Sequence, residues 1–517
     1  MPDVAPIRII HFNDIYNIEQ SVREPVGGAA RFVTAIQNQI ERHSGPTITL
    51  FSGDAFSPSP LTPFTKGDEI PPVLNATRVD VACIGNHDLD NGVEVLKQRV
   101  GETNFPWIIS NVWEKQTTTA RAEPEQRTLL AGLNSIHVLT RGGIKFGFMG
   151  LASWDWIPTL TQPTLDSIEY TDFTSTAHEV ARTLRQDHNC DFVIALTHMR
   201  TPEDVEFTRS SIADLVLGGH DHVLHKELID RTWLVKSGTD FKNYTTLDLY
   251  PTGEGKLRVS EPVHHYVTSD IPEHPDIARF VSQKFKLLGP RWTKSMAISS
   301  TDLDGRFVSI RTRETALGNF LCDALANALN ADIVLVNSGS FRSDSLHPPG
   351  KVTYGMIDTV LPFNDRIVLA LYTGKELLEL LECSVAQYPQ LAGSFCQVSG
   401  ISFSFDPRRE KGNRILRESV LCRNRCRKML PLDENEEYIC AMKTWLFFGN
   451  DGFPSSDESK ILRRTNSTQS EIVCGYFSQM RGSGTGADLV PEISPMEEGR
   501  IKCLCPDEGL LKAYRQN

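Results

Sequence analysis

The sequence predicts an α/β protein built as two domains, and three observations predict it. The chain has 517 residues, 40% of them hydrophobic, which is too long for one ordinary domain and apolar enough to fill two cores. Its first half alternates apolar runs with segments of helical period, the pattern of strands joined by helices. Several of those runs are apolar throughout rather than alternating, as strands buried on both faces must be.

The expected strands of the first half are IRIIHF, TITLF, VACIG, PWIIS, KFGFMGLA, DFVIALT, DLVLGG and TWLVKSG. Between the first two, GGAARFVTAIQNQIERH repeats its apolar residues at helical spacing and reads as an amphipathic helix. Residues 114–128, EKQTTTARAEPEQRT, are polar and read as an exposed loop. TSDIPEHPDIARFVSQKFKLLG breaks the alternation with a single helix, as a connector between domains would. From about Ile298 a second series follows: helix ETALGNFLCDALANAL, strands DIVLVNSG and RIVLALY, helix GKELLELLECSVAQ and strand GISFSFD. SDESKILRRTNSTQSE reads as a polar loop leading into a helix.

The net charge is −12 and no basic block stands out, so nucleic acid and acidic membranes are not expected partners. The 11 cysteines are odd in number and scattered, which favours reduced thiols over a disulfide framework. Cys422 with Cys426 and Cys503 with Cys505 lie too far apart to count as a zinc motif. No leader-like segment, bilayer-spanning run or lipid-anchor signal is present, so the expectation is a soluble cytoplasmic chain with no membrane partner. The oligomeric state is not legible.

The ends of the strands carry the chemistry. IRIIHFN is followed by Asp14, TITLFSG by Asp54, VACIG by Asn86 and His87, DFVIALT by His198, and DLVLGG by His220 with His222 two residues on. Ligand sites of open α/β sheets lie beyond the carboxyl ends of strands. A strand-end Asp alone is usually a helix cap, and a lone His is usually structural. Five strand ends bearing Asp, Asn or His point instead to one site for a divalent transition metal.

The order FND, SGD, GNHDLD, TH and GGHDH resembles the calcineurin-like metallophosphoesterases. The second half narrows the resemblance to the 5′-nucleotidase family through RETALGNFLCDAL, VNSGSFR, VLPFNDRIV, GSFCQVSGISFSFD, FFGNDGF and EEGRI, in that order, so that it runs from about Ile7 to Ile501. The resemblance implies a four-layer α/β/β/α metallophosphoesterase domain over residues 1–270, a connecting helix over 271–295 and a smaller α/β substrate-binding domain over 296–517. It implies two divalent cations, of zinc, manganese, magnesium, cobalt or iron. One would be held by Asp14, Asp54 and His222, the other by Asp54, Asn86, His198 and His220. Such a pair clamps a phosphoryl group and activates water. His87 and Asp90 would form a catalytic dyad in which Asp90 fixes the ring tautomer of His87.

By the same resemblance Arg313, Asn337 and Arg342 would surround the nucleotide, Phe395 and Trp445 would stack on the base, and Asp451 would accept from ribose hydroxyls. Arginine suits phosphate because its fork is planar and always charged. Trp445 stands where relatives have phenylalanine, and Asn450 where the motif more often reads GGDGF. The implied reaction is hydrolysis of nucleoside 5′-monophosphates to nucleoside and phosphate. Two rivals are a phosphatase of another phosphomonoester, such as a sugar phosphate or phosphoglycerate derivative, and a nucleotide-binding pseudoenzyme or interaction protein.

One departure stands inside the metal motif. Family members usually have His two residues after the first Asp; here that residue is Tyr16. A neutral phenol is a poor zinc ligand. Three readings follow: a weakened first site that favours added manganese or magnesium, a phenolate ligand for a harder ion such as ferric iron, or a packing role with His11 or Asn17 substituting.

Overall fold

The computed structural model describes residues 5–21, 23–115, 128–160, 162–252, 257–363, 365–482, 490–507 and 509. The middle of the loop expected at 114–128 lies outside the described residues. The chain forms two compact units, one ending at Leu287 and the other beginning at Leu288. No described helix is long and apolar enough to cross a membrane.

The first unit is the four-layer α/β/β/α arrangement. All eight expected strands form, although PWIIS contributes only Trp107–Ile108. One sheet runs in the order Leu257–Val259, Asn243–Pro251, Ile7–Phe12, Thr47–Phe51, Val81–Cys83, Trp107–Ile108, with Val263–Tyr266 also paired to Asn243–Pro251. The other runs Leu224–Ile229, Thr232–Ser237, Leu215–Gly218, Phe192–His198, Ile144–Ala152, Ile136–Arg141. The central strands of each are parallel, with Arg8 opposite Thr47 and Leu215 opposite Ile194. Parallel neighbours send their carboxyl ends the same way, which gathers Asp14, Asp54, Asn86, His198 and His220.

The continuous apolar runs have the reason expected of them. Ile7, Ile9, Ile48, Leu50 and Val81 of the first sheet face Phe146, Phe148, Ile194, Leu196 and Leu217 of the second, forming one core. The alternate residues face helices. Phe12 meets Phe32 of helix Ala29–Arg42 with ring centroids 4.9 Å apart, while Met149, Leu151 and Val193 pack with Ala177 and Phe207. Sequence reading passed over Asn243–Pro251, whose Thr245, Thr246 and Asp248 interrupt any apolar run; it pairs antiparallel with Ile7–Phe12, Ile7 opposite Leu249. The helix Pro275–Phe285, expected as a connector, packs on Ala29–Arg42.

A buried ammonium ties the second sheet together. Lys236 is 1% exposed. Its Nζ donates to the carbonyl oxygens of Met199 (2.7 Å) and Gly219 (2.8 Å) and to Asp221 Oδ2 (3.1 Å), and lies 2.9 Å from Asp204 Oδ2. Burial works against the charge, but the two carboxylates raise its pKa, so Lys236 stays protonated.

The second unit centres on a five-stranded sheet in the order Cys396–Ser399, Ile333–Asn337, Glu437–Lys443, Arg366–Thr373, Ile461–Thr468. Helix Gly374–Val385 covers one face through Leu377, Leu381 and Val385. Helix Ala316–Leu329 packs on strands Ile333–Asn337 and Cys396–Ser399. The polar stretch expected as a loop is strand Ile461–Thr468, with helix Gln469–Gly482 after it. It occupies the sheet edge, where one side of the backbone and much of the side-chain surface stay open, so ILRRTNST needs no apolar pattern.

Lys236→Met would leave Asp204 buried without a counter-ion and Asp221 with Arg200 alone. A stability loss of about 3–5 kcal/mol is expected by equilibrium urea denaturation. A loss under about 1 kcal/mol would show that the ammonium does not hold these strand ends.

Candidate active site

Four of the residues expected at the centre have left-handed backbone: Asp14 (φ 52°), Asp54 (φ 64°), His220 (φ 80°) and His222 (φ 59°). This region is sparsely used outside glycine, and Asp, Asn and His tolerate it best. The chain turns sharply there, off the end of each strand, and sends the side chain sideways into a common space. Glycines leave room for that turn. A Cβ on Gly85 would lie 2.0 Å from Asp54 Oδ1, and one on Gly219 would lie 2.8 Å from His198 Nδ1 and 2.6 Å from the Ser52 carbonyl oxygen.

Each carboxylate is held by one oxygen and presents the other. Asp14 Oδ2 accepts from Asn13 Nδ2 (2.6 Å) and the His220 N–H (2.9 Å), leaving Oδ1 turned toward His222 Nε2 at 3.1 Å. Asp54 Oδ1 accepts from the His87 N–H (2.9 Å), leaving Oδ2 3.2 Å from His198 Nε2. His198 Nδ1 lies 2.8 Å from the Ser52 carbonyl, which can only accept, so Nδ1 carries a proton and Nε2 is the nitrogen turned to the site. That Nε2 is buried and makes no hydrogen bond. Among the described residues, Asp14, Asp54 and His198 are the one group of three or more His, Cys, Asp or Glu whose ligand atoms lie within 4.8 Å of one another. The paired cysteines form no such group.

His220 and Asn86 make a second half. His220 Nδ1 lies 3.0 Å from Asn86 Oδ1, and Nε2 lies 3.4 Å from Asp155 Oδ2. Burial, with the nearby Arg200 charge, lowers the His220 pKa to about 4, so the ring is neutral and owns one proton. Both neighbours are acceptors. Nε2 makes no hydrogen bond, so the proton belongs on Nδ1 and is donated to Asn86 Oδ1, which leaves the Nε2 lone pair unused. The electrostatics agree. Burial opposes a charge on Asp54, yet the imidazoles of His198 and its neighbours hold its pKa far below the carboxylate range. Burial likewise opposes a charge on His198, but Asp54 and Asp14 raise its pKa to about 9. The donor set therefore fits divalent metal.

The supporting residues went unread in the sequence. Asp88 accepts from the N–H groups of Asp54 (3.1 Å), Ala55 (2.7 Å), Phe56 (3.1 Å) and Gly85 (2.8 Å), which binds the turn bearing Asp54 to the turn bearing Asn86. Arg200 donates to Asp155 (2.6 Å) and Asp221 (3.3 Å), so the partner of His220 is itself held. The only signal was Asp88 inside GNHD, where the neighbours drew attention instead.

His87 Nδ1 lies 3.0 Å from Asp90 Oδ2, which also accepts from Ser57 Oγ at 2.8 Å. Tyr16 does not simply pack. Its hydroxyl lies 3.1 Å from Asp14 Oδ1, 2.8 Å from Asp54 Oδ2 and 2.9 Å from His222 Nε2. Neither suggested substitute approaches. His11 is buried between Ser237 Oγ (2.7 Å) and Ser52 Oγ (2.9 Å), and Asn17 bonds to Asp240.

In the second unit, Asn337 and Asp451 come together: Asn337 Nδ2 donates to Asp451 Oδ2 at 2.8 Å, and Asn337 Oδ1 accepts from Ser340 at 2.6 Å. Arg342 is buried, its guanidinium 5.8 Å from the Phe307 ring centre. Arg311, which sequence reading did not select, is also buried and stacks on the same ring at 3.9 Å. Arg313 points elsewhere, to Asp304 (3.2 Å) and Glu497. Phe395 is 2% exposed and belongs to the core beneath strand Cys396–Ser399; Trp445 is half-buried against the same core.

Comparison with known proteins accounts for both units. Residues 7–224 match the calcineurin-like phosphoesterases, and residues 295–458 match the 5′-nucleotidase C-terminal domain. A 5′-nucleotidase of Bos taurus is 27% identical over 542 aligned residues, which take in 96% of this chain and 90% of the bovine one. The crystal structure of a 5′-nucleotidase precursor from Thermus thermophilus has the same fold, with a TM-score of 0.83 at 22% identity over 96% of this chain and 99% of that one. The sulfate thiohydrolase SoxB of Thermus thermophilus shares it as well, at a TM-score of 0.76 and 15% identity, over 98% of each chain. The protein therefore belongs to the 5′-nucleotidase family, whose calcineurin-like domain makes it a phosphoester hydrolase that uses divalent metal.

Proposed function

We propose that the protein hydrolyses nucleoside 5′-monophosphates to nucleoside and phosphate at a centre of two divalent cations. The observation that carries the reading is the convergence of Asp14, Asp54, Asn86, His198, His220 and His222 from five strand ends, with their oxygen and nitrogen atoms brought close together. Asp14, Asp54 and His222 would hold one cation, and Asp54, Asn86, His198 and His220 the other. Cations so held polarise a phosphoryl group and make water a nucleophile at neutral pH.

The rest falls to the chain's own groups. His87 gives the leaving ribose oxygen its proton from Nε2 as the phosphorus–oxygen bond breaks. Asp90 accepts the Nδ1–H, which fixes the tautomer and stabilises the ring while it is charged. Ser57 holds Asp90 in turn. Arg311 and Arg342, buried on one phenylalanine, supply the second unit's anion-binding charge. Asp451 keeps acceptor capacity for ribose hydroxyls while bonded to Asn337. The names of the bovine and Thermus relatives support the nucleotide class.

One observation favours a second reading, a phosphatase of another phosphomonoester. Phe395 is almost wholly buried, so its ring offers a base little surface, and a fold shared with a sulfate thiohydrolase does not dictate the substrate.

Phosphate release after metal stripping and single add-back of manganese, zinc, magnesium or cobalt decides between them. Release strongest on AMP or another nucleoside monophosphate, and inhibited by the free nucleoside, is expected. Release confined to sugar phosphates would discard the nucleotide assignment.

His220→Ala is expected to lower kcat by about 100-fold or more. Unchanged turnover would end the two-cation mechanism. Arg311→Ala and Arg342→Ala should each raise KM for AMP by about tenfold, and Arg313→Ala by less than about threefold. The reverse order would return the substrate role to Arg313.

A further inference from the structure

We infer that the second unit carries a further binding site, for a small organic anion that also bears hydroxyl groups. A cavity of about 610 Å³ opens among the stretch before strand Ser295–Ser299, helix Tyr354–Val360 and helix Gln469–Gly482. Small-molecule sites commonly enclose about 300–1,000 Å³. Arg291 and Lys294 come from the first of these elements, Tyr354 from the second, and Glu471, Gly475 and Ser478 from the third. None of these residues belongs to the candidate active site.

The chain's own bonds fix the walls. The Tyr354 N–H donates to the Lys294 carbonyl (3.2 Å) and the Gly355 N–H to the Trp292 carbonyl (2.9 Å), which pins the cationic stretch to the helix. Ser478 Oγ donates to the Cys474 carbonyl at 2.8 Å, so it must accept from the Tyr354 hydroxyl at 2.7 Å. The phenol, 6% exposed, is thereby held at its far end as well. The Arg291 guanidinium stacks on that ring, 4.6 Å from its centre. Stacking engages the face of a guanidinium and leaves its edge, which carries the N–H donors, for an anion.

The charges say what fits. Among the described residues neither Arg291 nor Lys294 forms an ion pair. Two such cations at one cavity suit a phosphate or carboxylate group. Glu471 Oε2 accepts from the Thr468 N–H (2.9 Å), which leaves Oε1 to accept from a hydroxyl of the same molecule.

Gly475 is an independent sign. Gly355 is a glycine because a Cβ there would stand 2.5 Å from the Trp292 ring. Gly475 has no such reason: nothing lies within 4 Å of the place its Cβ would take. Glycine is among the poorest helix formers, and this one sits inside a helix. Facing a cavity, it lets a ligand approach the helix backbone closely.

The test is calorimetric titration of the full chain, metals included, with two anions and a neutral control. The anions are the phosphonate analogue of glycerol 3-phosphate, which cannot be hydrolysed, and glycerate; glycerol is the control. Wild type is expected to bind one or both anions and not glycerol, and the stronger anion identifies the phosphate or the carboxylate source. Arg291→Gln with Lys294→Gln should weaken that binding at least about tenfold. Gly475→Leu, which fills open space, should abolish it with no fall in the thermal midpoint. Phosphate release from AMP should be unchanged in both variants. Neither anion bound at millimolar concentration, binding that survives both variants, or binding lost in step with phosphate release would overturn the inference. Absence of phosphate release in wild type would sink the nucleotidase reading and leave this site standing.

Discussion

The chain just after His198 and around His220 and His222 is tied down by the Lys236 ammonium. It sits on a neighbouring strand and binds the carbonyl just after His198, the carbonyl just before His220 and the carboxylate between His220 and His222. Asp88 does the converse on the other sheet, one buried carboxylate gathering four N–H groups from the turns that carry Asp54 and Asn86. Left-handed backbone at a non-glycine residue costs on the order of 1–3 kcal/mol, and persists only where the surroundings over-determine it. The two buried ions provide that over-determination, one to each sheet.

Between the sheets runs a chain of hydrogen bonds whose direction can be followed atom by atom. Ser52 Oγ donates to the Leu217 carbonyl, so it must accept from His11 Nε2. His11 stays neutral because burial lowers its pKa to about 3, so its Nδ1 accepts from Ser237. Ser237 then accepts from Thr245, and Thr245 from His264. Every polar group is satisfied in one consistent order, which is what a buried network needs in order to specify a single arrangement. The same Ser52 offers its carbonyl to His198 Nδ1, which turns His198 Nε2 toward Asp54.

Much of this was legible in the residues. Continuous apolar runs announced doubly buried strands, and polar residues at their ends announced the site, because both signals are local. The supports were not legible. Lys236 meets Met199 and Gly219 from far along the chain, and nothing in TWLVKSG marks its lysine as buried. Arg311 and Arg313 differ by two positions in one short segment; only packing on Phe307 tells them apart. The strand Ile461–Thr468 hid behind an edge strand's freedom to be polar. Tyr16 was visible as an anomaly, but its meaning depended on distances to three residues.

The left-handed turns have a bearing on how this centre can change over evolutionary time. On the proposed two-cation reading, a residue at position 14, 54, 220 or 222 must offer a metal donor and also accept a backbone that few side chains tolerate. Asp, Asn and His meet both conditions. Glu carries the same charge as Asp but lacks the short side chain that eases this conformation. Substitution at these positions is therefore channelled toward a small alphabet, while a neighbour that reaches in from an ordinary backbone, as position 16 does, is free to vary more widely.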